Sequence, residues 1–243
     1  MEIAILFLIG ILQRFIGTLA GGGGLISFPA MLLLGVPVHA TIAANKLSTT
    51  FGAFTNFLVL IKNKEISGKH FWFIAPFAIL GGVLGSMIAT VLSEAVLTVV
   101  AVTLLCFAFG LAFLKKPEVT ATFTGKITKK MYAAFLGTST YNGAFGPGQG
   151  TVLLYLLLYQ RISYISAIGF SQINTFISSA AATIIFISTG SMVWHIAIPL
   201  TVGSIFGGQI AIRLAYKLSR KHVRWLLHII TFFLIVQLIW KLF

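Results

Sequence analysis

The run Gly17-Thr18-Leu19-Ala20-Gly21-Gly22-Gly23-Gly24-Leu25-Ile26-Ser27-Phe28-Pro29 has no ordinary place inside a helix, yet strongly apolar sequence flanks it on both sides. Four successive glycines disfavour helix, bare the backbone N–H and C=O groups, and let another backbone or a ligand come close. A second run, Asn142-Gly143-Ala144-Phe145-Gly146-Pro147-Gly148-Gln149-Gly150-Thr151, has the same character. In a bilayer, unwound backbone survives only where protein buries it or where it lines a wet cavity.

The rest of the chain puts these runs in a bilayer. Of its 243 residues, 58% are hydrophobic and 9% are charged, against about 25% charged in soluble domains. The longest non-apolar stretch, Lys115 to Lys130, is too short for a soluble domain. A formal charge of +13 comes from 17 Lys and Arg against four acids. A nucleic-acid partner is not expected, because these bases sit between apolar runs and not on a polar domain.

Apolar stretches occupy about 3–20, 25–36, 38–61, 71–92, 95–114, 131–146, 150–160, 163–187, 193–216 and 224–242. Spanning takes about 20 residues, so six are ample. The segments 25–36 and 150–160 are too short, 3–20 and 131–146 are borderline, and each short segment follows a glycine-rich break. Broken or re-entrant helices are expected there. A shift of 126 to 127 residues lays Gly21 and Gly23 on Gly148 and Gly150, Ala40 on Ala167, and Gly81-Gly82 on Gly207-Gly208. The order long, short, long, long, long recurs, as in a duplicated transporter half. The boundaries read as a first repeat over 1–116, a cytoplasmic linker over 117–130 and a second repeat over 131–243.

Fourteen of the 17 basic residues fall in alternate breaks: Lys62 to Lys69, Lys115 to Lys130, Arg161, and Arg213 to Arg224. Placing these inside leaves the breaks at Ser93-Glu94 and Ser188 to Ser191 free of Lys and Arg on the far side. The two halves are then inverted and both termini face outward. The expected fold is an all-α polytopic membrane protein of two inverted repeats, each of about five helical segments, with 8–10 membrane segments in all.

All four acids (Glu2, Glu65, Glu94, Glu118) lie at the chain start or in polar breaks, and there is no Asp. Cation pumps, proton antiporters and paired-carboxylate enzymes lose ground, since each needs carboxylates at depth. Cys106 is the only cysteine, and His39, His70, His195, His222 and His228 show no ligand spacing, so neither a metal nor any cofactor is expected. An intramembrane hydrolase would need a nucleophile and base facing one cavity, and Ser139 or Ser204 with a distant His is a pairing that chance supplies freely. Trp72, Trp194, Trp225 and Trp240 lie near segment ends and suit the interfacial aromatic belt.

Two residues carry charge into apolar segments. Lys46, in Ala43-Ala44-Asn45-Lys46-Leu47-Ser48-Thr49-Thr50, lies about eight residues into its segment, where an ammonium costs about 3 kcal/mol on insertion scales. Either a bound anion neutralises it, or it snorkels, or helix C-terminal carbonyls hold it. The matching stretch, Ser171-Gln172-Ile173-Asn174-Thr175, offers neutral donors and acceptors. Arg14 either supports the site or snorkels towards the headgroups. Asn56 and Ser178 read as interhelical hydrogen-bond partners. The glycine breaks read as a substrate site or as tight helix crossings; their equivalent positions in the repeat favour the first, with half-helix N-termini offering N–H groups and a positive dipole end to an anion. The candidate substrate-binding set is Lys46, Asn45, Ser48, Gly22, Gly23, Gly24, Gly148, Gly150, Gln172, Asn174 and Ser171.

At these residues the chain resembles the TauE/SafE sulfite-exporter family, also called the organosulfur anion permeases. The resemblance covers essentially the whole length. It is carried by Gly21-Gly22-Gly23-Gly24-Leu25-Ile26-Ser27-Phe28-Pro29-Ala30, Leu34-Gly35-Val36-Pro37, Ala43-Ala44-Asn45-Lys46-Leu47, Tyr141-Asn142-Gly143 with Gly146-Pro147-Gly148 and Gly150, and Asn174. It implies a bacterial inner-membrane secondary transporter, often an exporter, of sulfite, sulfonates or related small sulfur anions; the sequence leaves the coupling ion open, the proton being one candidate. Members often have an acid where Asn142 stands and a lysine where Ser171 stands, so the resemblance implies a site with less positive charge from the second half. Alternating access is expected from rocking one half against the other. The competing readings are a channel or carrier for a neutral or cationic small molecule and, behind it, the hydrolase.

Overall fold

In the computed structural model of the chain, residues 2–21, 23–66, 69–112 and 129–214 are described, with the isolated positions 225, 229, 232, 236 and 240. Among the described residues run nine helices and no strand: α1 (Glu2–Ala20), α2 (Gly24–Leu33), α3 (Val38–Lys62), α4 (Lys69–Val91), α5 (Glu94–Ala112), α6 (Lys129–Ala144), α7 (Gln149–Tyr159), α8 (Tyr164–Ser188) and α9 (Trp194–Leu214). The expected linker lies outside the described residues except for Lys129 and Lys130, which open α6. In the stretch expected to form the last segment, Trp225, Ile229, Phe232, Val236 and Trp240 are helical and exposed. Their spacing of three and four is that of one apolar helix face.

The helix ends follow from local chemistry. α1 stops where Gly21 takes a φ of +82°, and α7 starts after Gly148 at +83°, a region glycine enters without a Cβ penalty. Pro37 stands just before α3, with φ −55° and ψ 149°. The Glu94 carboxylate reaches across from the start of α5 to the α3 backbone N–H groups of Val38 (3.1 Å) and His39 (3.4 Å), and it meets His39 Nδ1 at 2.8 Å. A negative group is well placed at a helix N-terminus. α8 is capped by Ser163, whose Oγ accepts from Ser166 N.

α2 and α7, of 10 and 11 residues, are only about 15–17 Å long, half of an apolar core about 30 Å thick. α1, α4 (from Phe71), α8 and α9 are both long and apolar enough to cross a membrane. α3 matches α8 at 25 residues but stands outside that set, because Asn45, Lys46, Ser48, Thr49 and Thr50 dilute its apolar character. Large apolar side chains such as Leu80, Leu84, Ile184, Ile198 and Phe206 are exposed, as lipid contact requires.

The sequence reading expects two halves that rock one against the other. The structure interleaves them. The most extensive helix contacts join α1 to α9 and α4 to α6, followed by α3 with α9, α3 with α8, and α4 with α8. Glycines make these approaches possible. A Cβ on Gly10 of α1 would run into the backbone of Leu200 and Ser204 on α9, and one on Gly203 or Gly207 into the carbonyls of Phe7 or Ile11. At the other seam, Gly81 and Gly85 of α4 lie against Leu136 and Thr140 of α6, and Gly143 against Gly82. Small residues let helix backbones come this close in lipid. The contacts thus run in series from α1 through α9, α3, α8 and α4 to α6, giving two three-helix bodies (α1, α3, α9 and α4, α6, α8) joined where α3 crosses α8 by contacts as extensive as those of α4 with α8.

Candidate functional site

The two glycine breaks meet between these bodies. Gly21 lies so close to Gly150 and Thr151 that neither glycine has room for a Cβ, and Gly24 lies on Pro147. Beside this crossing is a cavity of about 60 Å³, room for about four or five water molecules. The N-terminal ends of α2 (Gly23, Gly24) and α7 (Gln149, Gly150) both open on it, as do Asn45, Lys46 and Thr49 of α3 and Ser171, Gln172 and Thr175 of α8. Asn142 and Phe145 at the end of α6, and Gln13 and Arg14 of α1, complete most of the wall. Among the described residues, no carboxylate lines it.

Lys46 is 2% exposed. Its ammonium donates to the carbonyls of Asn142 and of Phe145, the latter at 3.1 Å. These carbonyls end α6, where the helix dipole is negative. Of the three sequence readings for this lysine, its burial excludes the snorkelling one, and the carbonyl-held one describes the contacts its ammonium makes. An ammonium has three donors, so one N–H beyond these two bonds remains for a ligand.

Arg14 is 5% exposed, so it does not snorkel. Its guanidinium donates across the cavity to Gln172 Oε1. Arg14 Nε and Gln149 Nε2 are buried with no hydrogen-bond partner among the described residues. Lys46 and Gln172 stand 126 residues apart, the register of the repeat. Each reaches the first helix of the other half: Lys46 the end of α6, Gln172 the arginine of α1. Arg14, from the first half, lines the same cavity as Ser171.

The expected binding set divides. Lys46, Asn45, Gly23, Gly24, Gly150, Ser171 and Gln172 all line the cavity. Ser48 and Asn174 are buried braces away from its wall: Gln13 Nε2 of α1 donates to Ser48 Oγ, and Ser139 Oγ of α6 donates to Asn174 Oδ1 at 2.8 Å. Both pairs tie the third helix of a half to its own first helix at equivalent repeat positions. Gly148 turns the chain into α7 without lining the cavity, and Gly22 lies outside the described residues. Asn45 is engaged by Ser27 Oγ at 2.8 Å and by its own donation to the Thr41 carbonyl at 3.1 Å. The two interhelical readings hold: Asn56 Nδ2 donates to Thr18 Oγ1 at 2.7 Å, and Asn142 Nδ2 to Ser178 Oγ at 2.8 Å. Gln149 and Gln13 were not singled out. Their only signal is a polar amide beside a glycine break or beside Arg14.

A family model described as sulfite exporter TauE/SafE matches residues 6–238. A "Probable membrane transporter protein" of Haemophilus influenzae is 27% identical, with 98% of this chain and 94% of the relative covered. "Probable membrane transporter protein ORF9" of Sinorhizobium sp is 29% identical over 98% of this chain and 92% of that protein. "Probable membrane transporter protein YfcA" of Escherichia coli K12 is 25% identical over 91% and 84%. No solved structure matches the chain.

Proposed function

The chain belongs to the sulfite exporter TauE/SafE family of membrane transporters, and on that premise we propose that it is a secondary carrier of small oxyanions, sulfite and related sulfur anions foremost, in a bacterial inner membrane. One observation carries the reading: a cavity at the crossing of two broken helices holds buried cationic side chains and, among the described residues, no carboxylate. A carrier for cations would place acids there. Lys46 supplies charge through its remaining N–H, Gln149 Nε2 supplies an unpaired donor, and the N-termini of α2 and α7 add backbone N–H groups at positive dipole ends. The cavity's size suits an ion of four or five heavy atoms, a sulfite or sulfate and not a large sulfonate.

The two repeats are inverted in this proposal, with both termini external, so that the cavity sits near the bilayer midplane and opens to either side in turn. The moving bodies are α1, α3, α9 and α4, α6, α8. Rocking the sequence halves would tear the glycine-packed seams of α1 with α9 and α4 with α6, whereas motion across α3 and α8 leaves both intact. Gly21, Gly146 and Gly148, all at positive φ, supply the turns at the crossing.

The test is flux in proteoliposomes across sulfite, thiosulfate and sulfonates, with and without a pH gradient, beside a neutral and a cationic solute. Uptake of sulfite, competed by sulfate or thiosulfate, is the expected result. Flux of the neutral or cationic solute with none of any sulfur anion would overturn the proposal.

A further inference from the structure

Arg14 has a place built for it. Its stem runs between α3 and α9 at two glycines. A Cβ on Gly52 would stand 2.8 Å from Arg14 Cδ and 2.9 Å from Nε, and one on Gly208 would stand 3.2 Å from Cγ. Ordinary contact begins near 3.4 Å, so a side chain at either position would have to push the arginine aside. What this slot delivers is a guanidinium at the wall of the cavity, bonded to the neutral Gln172 Oε1, with Nε buried and unpaired among the described residues.

A neutral amide is a poor counterpart for such a group. A guanidinium has five N–H donors and cannot shed its charge, and burying it beside neutral groups alone is costly. The Lys46 charge is already compensated in part by the carbonyls that end α6. A singly charged ligand seated on Lys46 would leave the second cation facing a neutral wall.

We infer that Arg14 is a second cationic ligand of the transported ion and that it makes the site select doubly over singly charged oxyanions. This rests on the oxyanion reading of the same cavity and adds the charge class and the residue that sets it. Gln172 holds the guanidinium in this structure. A dianion takes its place, accepting from the N–H that Gln172 releases while Lys46 engages another of its oxygens.

Two probes with similar head groups and different charge test this: inorganic sulfate, a dianion, and methanesulfonate, a monoanion. Binding of each to the purified full-length protein in nanodiscs is measured by calorimetry. The wild type should bind sulfate about tenfold tighter than methanesulfonate or better, the scale of a hydrogen bond to a charged group. Arg14→Gln should lose that ratio by weakening sulfate while leaving methanesulfonate within about twofold, whereas Lys46→Gln should weaken both. Where Arg14→Gln does not fold, Arg14→Met reads the same ratio, because it also removes the charge while its unbranched stem still fills the slot at Gly52 and Gly208. An unchanged ratio in the variant that folds overturns the role of Arg14 and leaves the oxyanion reading standing. Absence of binding of either anion to the wild type overturns both.

Discussion

Lys46 does two things with one ammonium: it caps the carbonyls that end α6, and it presents a donor to the cavity. Replacing it with Met leaves two carbonyls without a donor, about 1–3 kcal/mol each, and relieves about 3 kcal/mol of charge burial. These nearly offset, so Lys46→Met should melt within a few degrees of the wild type while sulfite flux falls about ten- to a hundredfold. Lys46→Arg should recover only part of the flux, since a planar fork does not fit where an ammonium was packed. Flux and melting temperature measured on the same preparations check this; full flux in a folded Lys46→Met protein would remove the lysine from the site. Lys46 was legible because an ammonium without a carboxylate in an apolar run needs a reason. Arg14 was legible only as one of two readings, support for the site or snorkelling, and the cause is geometric. Six residues before a helix end reads as shallow if the helix spans, but α1 ends at the cavity, so the same six residues place the arginine in the cavity wall with Lys46.

Among the elements, the breaks were readable and the seams were not. Four glycines in a row can hardly be helix, whereas single glycines such as Gly10, Gly85 and Gly203 inside helices do not say which partner they admit. Two breaks in the chain separate conformation from crowding. Gly21 and Gly35 share a φ of +82°, but Gly21 is pressed against the backbone of Gly150 and Thr151, and Gly35 has nothing within 4 Å of where its Cβ would be. Gly35→Ala should cost only the left-handed backbone penalty, about 1–2 kcal/mol, and yield a folded carrier. Gly21→Ala adds a collision with backbone that cannot rotate away, and should abolish folding or flux. Melting curves by fluorescence-detected size exclusion compare the two, and equal destabilisation would mean that the breaks do not touch.

At the scale of the whole molecule, charge asymmetry fixes an orientation that can be measured directly. With Cys106 replaced by Ser, a membrane-impermeant maleimide applied to intact cells should label Gly190→Cys and spare Ser67→Cys and Thr122→Cys. Labelling of position 67 or 122 from outside would end the inverted arrangement. Segment number and order were visible in the sequence, since length and hydropathy determine them. Which segment packs on which was not, because a duplicated half looks self-sufficient in one dimension, and nothing in its composition says that its first helix belongs with the fourth helix of the other copy.

That exchange of partners has a consequence for how the protein is made. α1 leaves the ribosome first, carrying Arg14 and the bare groove at Gly10, but its main neighbour α9 ends only at Leu214. At about 5–20 residues per second the wait is about 10–40 s. For most of that interval the arginine lacks both Gln172 and the Gly208 side of its slot, and a charge buried in lipid is unfavourable. The early helices must therefore stay at the insertion machinery, or remain unsettled in the bilayer, until the second copy arrives. The chain commits to its fold late in synthesis, as a single event and not half by half.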